Sequence, residues 1–415
     1  MTSEIKQRIE QIRRGEVPEG YVKTALGLAP ANWKRYTFGD IYTERKEPGD
    51  ENLPLLMVSI HSGVSDGEVD AAELPKQVKR IEDKSQYKKA VFGDLVFNMM
   101  RAWQGAIGTV RTTGMVSPAY IVAEPNDKAY PLFMDYYSRT PQMINQIDRQ
   151  SYGVTDFRKR LYWDSFAPIS CALPPIEEQQ KIAAILTTQD RVIELKEKCL
   201  AEKQRQKKYL MQQLLTGKKR LPGFNGAWKT DCLGKLFIER KETNCENIEM
   251  LAITGTQGII PRKELDLKDN SSEDKSKYLR VCVGDIGYNT MRMWQGVSAY
   301  SNYEGIVSPA YTILKPSSSI NAKYFAYLFK MSEIVFLFYR FSQGLVDDTR
   351  NLKYENFKKI KVCYPPDIKE QTAIAEVLSA ADREIELLQQ DIEQEKQKKK
   401  ALMQLLLTGI VRVKT

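Results

Sequence analysis

The sequence predicts an α+β fold in which two tandem-repeat mixed α/β domains are joined and spaced by two long antiparallel coiled-coil helices. Two observations predict this fold. The stretches 176–217 and 367–409 both have helical apolar periodicity and share their terminal motifs. The segments that precede them match each other motif by motif, which is typical of an internal repeat.

The N-terminal segment precedes the first repeat. Residues 2–14 are predicted to form a short helix that stops at Gly15, and a turn-rich run then leads to Trp33. A similar passage follows the first long helix, where Gly217 leads through a basic run to Trp228. The first 30 residues therefore resemble part of a helix-exit segment placed at the front of the chain.

Short strands and helices are predicted inside each repeat. The spans Val91–Val96, Ala106–Val110 and Tyr120–Ala123 are apolar and bounded by Gly or Pro, which favours strands. The spans Leu132–Ile147 and Lys323–Tyr339 have helical patterns. Each repeat is therefore interpreted as a mixed α/β domain.

The first long helix is predicted from its punctuation and its period. It follows Pro174-Pro175 and contains no further Pro or Gly until Gly217, as expected for a helix start and end. Apolar residues recur every three or four positions from Ile182 to Leu214, with polar residues in the middle of this seam. About 40 residues at about 1.5 Å each make a rod on the order of 60 Å long, which needs a partner.

The end of the chain supplies that partner. Glu370-Gln371 matches Glu178-Gln179, and Leu407-Thr408-Gly409 matches Leu215-Thr216-Gly217. These matches favour two helices that pair with each other over two unrelated surface helices. Both helices carry lysine runs in the polar middle, which are typical of solvated faces or of a contact with acidic groups.

The predicted organisation has five segments. They are an N-terminal helix and lead-in (1–31), a first domain (32–175), a central spacer helix (176–217), a second domain (218–366) and a C-terminal spacer helix (367–415).

Composition narrows the class of protein. The chain has 62 Lys+Arg against 53 Asp+Glu and a formal net charge of +9, which favours a polyanionic partner only weakly because both signs are plentiful. Its six cysteines include no C-x-x-C pair, which predicts reduced thiols. No apolar run reaches the length of a membrane span. We expect a cytoplasmic protein that makes no membrane contact.

The residues needed for catalysis are largely missing. His61 is the single histidine, and no G-x-x-x-x-G-K-[ST] phosphate loop and no N-P-P-Y-type motif occur. The stretch Asp367–Glu370 has residue types found in nucleases, but it lies at a helix start, where acidic residues are favoured. The sequence therefore predicts no catalytic residues, no metal site and no cofactor bound by this chain.

The repeated R-x-W-Q-G motif is the best candidate for a contact with DNA. It occurs at Arg101–Gly105 and at Arg292–Gly296. Arg can bind guanine or phosphate, Gln can pair with adenine, and Trp offers a stacking face. The alternative is that Trp fills the core, Gly makes a turn and Arg pairs with a nearby acid. Because the motif is identical in both halves, a structural or phosphate-binding role and a base-reading role both stay open.

Other candidates surround this motif. The repeated S-P-A-Y sequence is expected to form a fixed turn. The loops that differ between halves are better suited to reading different sequences: His61-Ser62 against Thr256-Gln257, and Thr155–Arg160 against Val346–Asn351. The predicted DNA-binding residues are Asn98, Arg101, Trp103, Gln104, Tyr120, Arg158, Arg160, Asn289, Arg292, Trp294, Gln295, Tyr311 and Arg350.

The whole layout resembles the specificity (S) subunits of Type I restriction–modification systems. The resemblance is carried by two repeats, each of which leads through L-P-P-x-x-E-Q (Leu173–Gln179) or a variant of it into a long helix that ends L-T-G. The variant in the second half has Tyr364 in place of Leu and one extra residue.

This resemblance implies a non-catalytic subunit. Each repeat would be a target-recognition domain that reads one half of a bipartite double-stranded DNA site, and the paired helices would set the gap. The subunit would recruit two methyltransferase (M) subunits, and restriction (R) subunits can join such complexes. S-adenosylmethionine, ATP and Mg would then be bound by the partner subunits.

Two other classes of protein stay open from the residues alone. One is a stand-alone DNA-binding or antirestriction-like protein, and the other is a coiled-coil adaptor whose domains bind protein. A steep salt dependence of duplex binding would favour DNA as the ligand.

Overall fold

The computed structural model describes residues 3–24, 27–50, 52–65, 67, 86–155, 158–245, 248–255, 258–265 and 274–413. The chain divides into two compact units. The first unit comprises the residues up to Lys196 together with those from Ile392 onward, and the second comprises Glu197–Asp391. Each unit therefore contains one repeat and parts of both long helices.

The helices of the described chain are α1 (Ser3–Arg13), α2 (Phe38–Ile41), α3 (Pro131–Tyr137), α4 (Pro141–Gln150), α5 (Trp163–Phe166), α6 (Ile176–Leu214), α7 (Leu233–Leu236), α8 (Ala322–Leu328), α9 (Ser332–Phe341), α10 (Tyr354–Phe357) and α11 (Ile368–Leu407).

The strands of the first repeat are β1 (Tyr21–Thr24), β2 (Gly27–Pro30), β3 (Lys34–Thr37), β4 (Tyr42–Glu44), β5 (Val58–Ser59), β6 (Gly63–Val64), β7 (Lys88–Ala90), β8 (Leu95–Asn98), β9 (Ile107–Thr109), β10 (Gly114–Val116), β11 (Tyr120–Pro125) and β12 (Ser170–Leu173). Those of the second are β13 (Lys229–Cys232), β14 (Phe237–Glu239), β15 (Leu251–Ile253), β16 (Ile259–Pro261), β17 (Leu279–Val281), β18 (Ile286–Asn289), β19 (Ser298–Tyr300), β20 (Gly305–Val307), β21 (Tyr311–Pro316) and β22 (Lys361–Tyr364).

A four-stranded antiparallel sheet in the order β4-β11-β8-β9 forms the centre of the first repeat. Successive residues of β8 point to opposite faces of the sheet, and both faces are covered. Leu95 and Phe97 pack in the cluster that includes Phe133 of α3, whereas Val96 packs with Val58 on the other face. This double burial explains why the strand is a continuous apolar run.

The second repeat has the equivalent sheet, in the order β14-β21-β18-β19. Here Gly287 takes the position that Val96 has in the first repeat. A Cβ at Gly287 would lie 2.3 Å from the Cδ1 of Ile253, so the larger Ile253 fills the space that a side chain on β18 would need. The two cores are therefore packed to a similar extent with different residues.

Three predicted elements have different bounds in the structure. The strand predicted at 91–96 begins at Leu95, because Gly93 adopts a left-handed φ of 97° and Asp94 accepts a hydrogen bond from the Val91 N–H at 2.8 Å, which makes a turn. The helix predicted over 132–147 is two helices, because Thr140 caps the N-terminus of α4, where Pro141 is the first residue. The helix predicted over 323–339 is likewise divided into α8 and α9.

The polar middle of the helix seam is occupied by pairs between α6 and α11. In the first unit, Gln189 and Lys196 both donate to the Glu395 carboxylate, at 2.6 and 3.0 Å, and these hydrogen bonds lower the pKa of Glu395 to about 2. In the second unit, Lys203 pairs with Glu384 at 2.7 Å. Within each unit the lysines of one helix therefore meet acidic groups of the other.

Each repeat is fastened to the long helices by a tyrosine. The Tyr136 hydroxyl donates to Asp190 of α6 at 2.6 Å, and the Tyr327 hydroxyl donates to Asp382 of α11 at the same distance. Burial and the bond to Asp190 raise the pKa of Tyr136 to about 12, so its hydroxyl keeps its proton at neutral pH.

The E-Q pair of the motif that opens each long helix makes buried contacts. Glu178 is 1% exposed and accepts two hydrogen bonds from the Arg412 guanidinium, both at 2.6 Å. Gln179 accepts from the Tyr130 N–H at 2.8 Å and donates to the Pro174 carbonyl at 2.9 Å. The motif therefore connects the helix start to its own domain and to the segment that follows α11.

Glu370 and Arg220 form the equivalent pair in the second unit, at 2.6 and 2.7 Å. The exit segment that carries Arg220 is continuous along the chain. Its counterpart in the first unit is built from both chain ends, because the Tyr21 hydroxyl donates to the Gly409 carbonyl at 2.7 Å.

We expect Glu178→Gln to destabilise the first unit by about 2 kcal/mol, because it removes the charge from a buried, doubly hydrogen-bonded pair. Glu194→Gln is the matched control on the same helix, since Glu194 pairs with Arg191 at the surface and such pairs contribute little. Thermal unfolding of both variants measures the difference. Equal midpoints for the two variants would show that the buried pair is not stabilising.

Candidate nucleic-acid interface

The R-x-W-Q-G motif forms the same tight turn between a central strand and an edge strand of each sheet. It connects β8 to β9 through a 3-10 turn at Ala102–Gln104, and β18 to β19 through one at Met293–Gln295. The glycines that end these turns have φ values of 104° and 80°, a left-handed conformation that residues with a side chain rarely adopt. The motif that recurs in both repeats thus encodes a backbone shape.

The asparagine and tryptophan side chains bond to this turn. Asn98 accepts a hydrogen bond from the Met100 N–H at 2.9 Å, and the indole N–H of Trp103 donates to the Met100 carbonyl at 3.0 Å. Asn289 and Trp294 make the same bonds to Met291, at 3.0 and 2.9 Å. Both indoles are half-buried, so these four residues hold the turn in shape.

The arginine and glutamine of each motif are exposed to solvent. Arg101 immediately precedes the 3-10 turn and Gln104 is its last residue. Within the described parts of the chain, no carboxylate lies at ion-pair distance from the guanidinium of Arg101 or Arg292. Arg45, by contrast, is a buried arginine that pairs with Asp94 at 2.8 Å.

The S-P-A-Y sequence is a turn that packs beside the motif. Tyr120 lies opposite Asn98 in the pairing of β11 with β8, and the Met99 N–H donates to the Ala119 carbonyl at 3.0 Å. In the second repeat Tyr311 lies opposite Asn289. Burial raises the pKa of Tyr120, which stays a neutral hydroxyl next to Asn98.

The divergent loops that contain residues 155–160 and 346–351 are anchored to the R-x-W-Q-G turn of their repeats by main-chain atoms. The ends of the first loop are joined by the hydrogen bonds between Tyr152 and Arg160, at 3.0 and 3.1 Å. The next residue, Leu161, donates its N–H to the Met99 carbonyl at 2.9 Å. The second repeat has the same arrangement, with Leu352 donating to Thr290 at 2.8 Å. The variable loop and the constant turn are therefore held side by side in each repeat.

The predicted arginines of these loops differ in environment. Arg158 is exposed, whereas Arg160 is half-buried and donates to the Lys159 carbonyl at 2.9 Å. Arg350 lies over the Tyr339 ring at 4.1 Å and pairs with Asp347 at 2.8 Å.

A cation over an aromatic ring beside each turn was not among the predicted features. Lys159 occupies the place in the first repeat that Arg350 has in the second, and its ammonium lies 4.8 Å from the centre of the Trp103 ring. In the second repeat, Arg350 lies over the Tyr339 ring, and the centre of that ring is 6.2 Å from the centre of the Trp294 ring. Aligning the two repeats at the constant offset of the motif would have identified Lys159 as the counterpart of Arg350.

The second pair of divergent loops is described only in part. His61 is exposed, and its backbone N–H donates to the Ser59 hydroxyl at 3.1 Å. Thr256 and Gln257, its predicted counterparts, lie outside the described residues, as do Asp156 and Phe157 of the first loop.

The acidic groups near the start of α11 have structural contacts. Asp367 accepts a hydrogen bond from the Lys369 N–H at 2.9 Å, which caps the helix, and Glu370 binds Arg220. Over the ranges that the structure describes, no three His, Cys, Asp or Glu side chains are grouped so that they could hold a metal ion. The helices in those ranges also include none long and apolar enough to cross a membrane.

Comparisons with known proteins identify a family domain in the second half of the chain and a relative along nearly all of it. Residues 233–397 match the model of the Type I restriction modification DNA specificity domain. The MjaX specificity subunit of a type I restriction enzyme from Methanocaldococcus jannaschii is 24% identical over 446 aligned residues, which cover 96% of this chain and 98% of the relative.

Two solved structures share the fold. The S subunit of a Type I restriction–modification system from M. genitalium superposes with a TM-score of 0.54 at 12% identity and covers 92% of this chain and 97% of its own. A chain from a study of complex assembly and conformational transition in the type I R-M system gives a TM-score of 0.52 at 16% identity, covering 92% of this chain and 99% of its own.

These similarities confirm the resemblance that the repeats and their helix-opening motifs predict. They extend along nearly the whole chain, and the matched domain covers the second sheet and most of α11. The chain is therefore an HsdS-like protein that carries the DNA specificity domain of Type I restriction–modification systems.

Proposed function

We propose that the two repeats are target-recognition domains that each read one half of a bipartite double-stranded DNA site. One observation carries this proposal: each repeat presents the same R-x-W-Q-G turn, with an exposed arginine and glutamine, beside a loop whose sequence differs between repeats. The turn has the same sequence in both repeats and can make the same contact with DNA in each, whereas the loop differs and can contact different bases. This combination suits two domains that bind DNA at different sequences.

The R-x-W-Q-G turn and the divergent loop have different roles in DNA binding. Arg101 and Arg292 are cations with no internal partner among the described residues, so they bind phosphate or a base feature common to both half-sites. The loops that contain Arg158 and Arg350 contact the bases that differ. Asn98 and Trp103 hold the turn and act on DNA only through it.

The chain is not catalytic by itself, and methyl transfer resides in partner subunits. Methylating a base in duplex DNA requires that the base be flipped into a pocket. We propose that two methyltransferase subunits supply these pockets, bind S-adenosylmethionine and dock on the exposed faces of α6 and α11, where Leu195 and Leu387 are exposed. ATP and Mg belong to the restriction subunits in complexes that carry them. Such a complex acts on cytoplasmic DNA.

A methylation map tests this function. The chain is expressed together with the methyltransferase subunit encoded beside it, and host DNA is sequenced by a method that detects N6-methyladenine. We expect a two-part motif with a fixed gap that disappears when this chain is omitted. A stable complex that adds no methylation would instead favour a stand-alone DNA binder or a protein adaptor.

Arg101→Ala and Arg292→Ala should each weaken binding of the assembled complex to its target duplex by about tenfold, as expected for loss of a charged contact to phosphate or guanine. Affinity is measured over a series of salt concentrations. A phosphate contact predicts a shallower salt dependence for every duplex, whereas a base contact predicts a loss confined to one position.

Arg14→Ala is the matched control, because it removes one exposed positive charge just after α1, in the same unit as Arg101. Wild-type affinity in both motif variants would assign the R-x-W-Q-G motif to the structure of the turn alone.

We further propose that the long helices set the gap between half-sites. Seven residues inserted after Lys196 in α6, together with seven after Asp391 in α11, add about 10 Å of helix and nearly preserve the seam. The methylated motif should keep both half-sites and gain up to about three base pairs of gap, at about 3.4 Å per pair. Altered half-site sequences with an unaltered gap would show that the helices are not the spacer.

A further inference from the structure

An apolar residue stands at the tip of the divergent loop in both repeats. Val154 is 91% exposed and Leu345 is 100% exposed, and the two occupy the same position relative to the R-x-W-Q-G motif. A single exposed apolar residue is ordinary on a protein surface. Two that recur at one position, in loops whose following residues differ, indicate a common use.

The loops hold these side chains away from the domain core. The preceding glycines cannot be replaced without a clash, because a Cβ would lie 2.4 Å from the Arg158 carbonyl oxygen at Gly153 and 2.7 Å from the Arg350 nitrogen at Gly344. Gly344 also has a φ of 146°, which favours glycine. The returning end of each loop passes close to the glycine, and the residue after the glycine, Val154 or Leu345, is exposed to solvent.

The main-chain bonds of Leu161 to Met99 and of Leu352 to Thr290 place each loop beside the turn that carries the exposed arginine and glutamine. The loop that carries each apolar residue is therefore anchored beside a turn whose polar groups are suited to base edges. In the major groove, an A·T pair offers hydrogen-bonding atoms on adenine and a 5-methyl group on thymine. Apolar side chains are the groups that contact this methyl.

We propose that Val154 and Leu345 are specificity-determining residues that contact the 5-methyl groups of thymines, one in each half-site. This inference rests on the proposed DNA-reading function of the repeats. A branched aliphatic side chain covers a methyl group closely, and the one-carbon difference between Val and Leu changes which thymine can be reached from each loop.

A wedge inserted between base steps is the competing use of an exposed apolar residue. Leucine, as at Leu345, can serve as such a wedge, but valine, as at Val154, is among the shortest apolar side chains and is a poor one. The methyl contact suits both residues, so the structure favours it.

Thymine-to-uracil substitution tests the contact, because it deletes only the 5-methyl group. The assembled complex is titrated with duplexes that carry uracil at one thymine position at a time. For the wild-type protein we expect about a fourfold loss of affinity at one position in each half-site, the value for one buried methyl. Val154→Ala and Leu345→Ala should lose about as much on the unmodified duplex, and each should become insensitive to uracil in its own half-site.

Val283→Ala is the matched control. Val283 is also an exposed valine (63%), but it precedes the first residue of β18, whereas Asn289 is the last residue of that strand. It should bind every duplex as the wild type does.

Three outcomes would overturn the inference. The first is that Val154→Ala and Leu345→Ala bind DNA as tightly as the wild type does. The second is that uracil lowers the affinity of the wild type and of the variants equally at every position, and the third is that uracil does not change the affinity of the wild type. In each case the wild-type complex still selects its bipartite site, so the proposed function stands. A wild-type complex without sequence preference would overturn the proposed function itself.

Discussion

The buried glutamate–arginine pair at the start of each long helix is the contact on which both units depend. A carboxylate as deeply buried as Glu178 is stable only with a charged partner, and Arg412 supplies two hydrogen bonds from 234 residues away. The equivalent pair in the second unit joins residues 150 apart. The pair in the first unit therefore joins residues that lie farther apart along the chain than the pair in the second unit does.

The sequence predicted most of the fold because its strongest signals are local. Pro174-Pro175 and Gly217 bracket α6, and motifs that recur in the same order establish the repeat. The bounds within a repeat depend on tertiary context. The start of β8 depends on the bonds of the Asp94 side chain, and Ile253 fills the space beside Gly287 from a different strand. No periodicity within one segment contains that information.

The candidate interface was predicted as a motif, but the separate roles of its residues required the structure. Asn98 and Trp103 have chemistry suited to bases, yet their polar atoms bond to the turn itself. Lys159 was missed because its neighbours Arg158 and Arg160 carry the more typical DNA-binding side chain, although Lys159 is the counterpart of Arg350. Residue type identifies candidates, whereas position in the turn decides which of them face solvent.

The anchoring of the divergent loops has an evolutionary consequence. The bonds that connect each loop to the constant turn, from Tyr152 to Arg160 and from Leu161 to Met99, join main-chain atoms only. Main-chain bonds do not depend on which side chains occupy the loop, so loop positions other than the glycines Gly153 and Gly344 can be substituted while these bonds are kept. Selection can therefore change what one repeat recognises while the other repeat and the helices stay as they were.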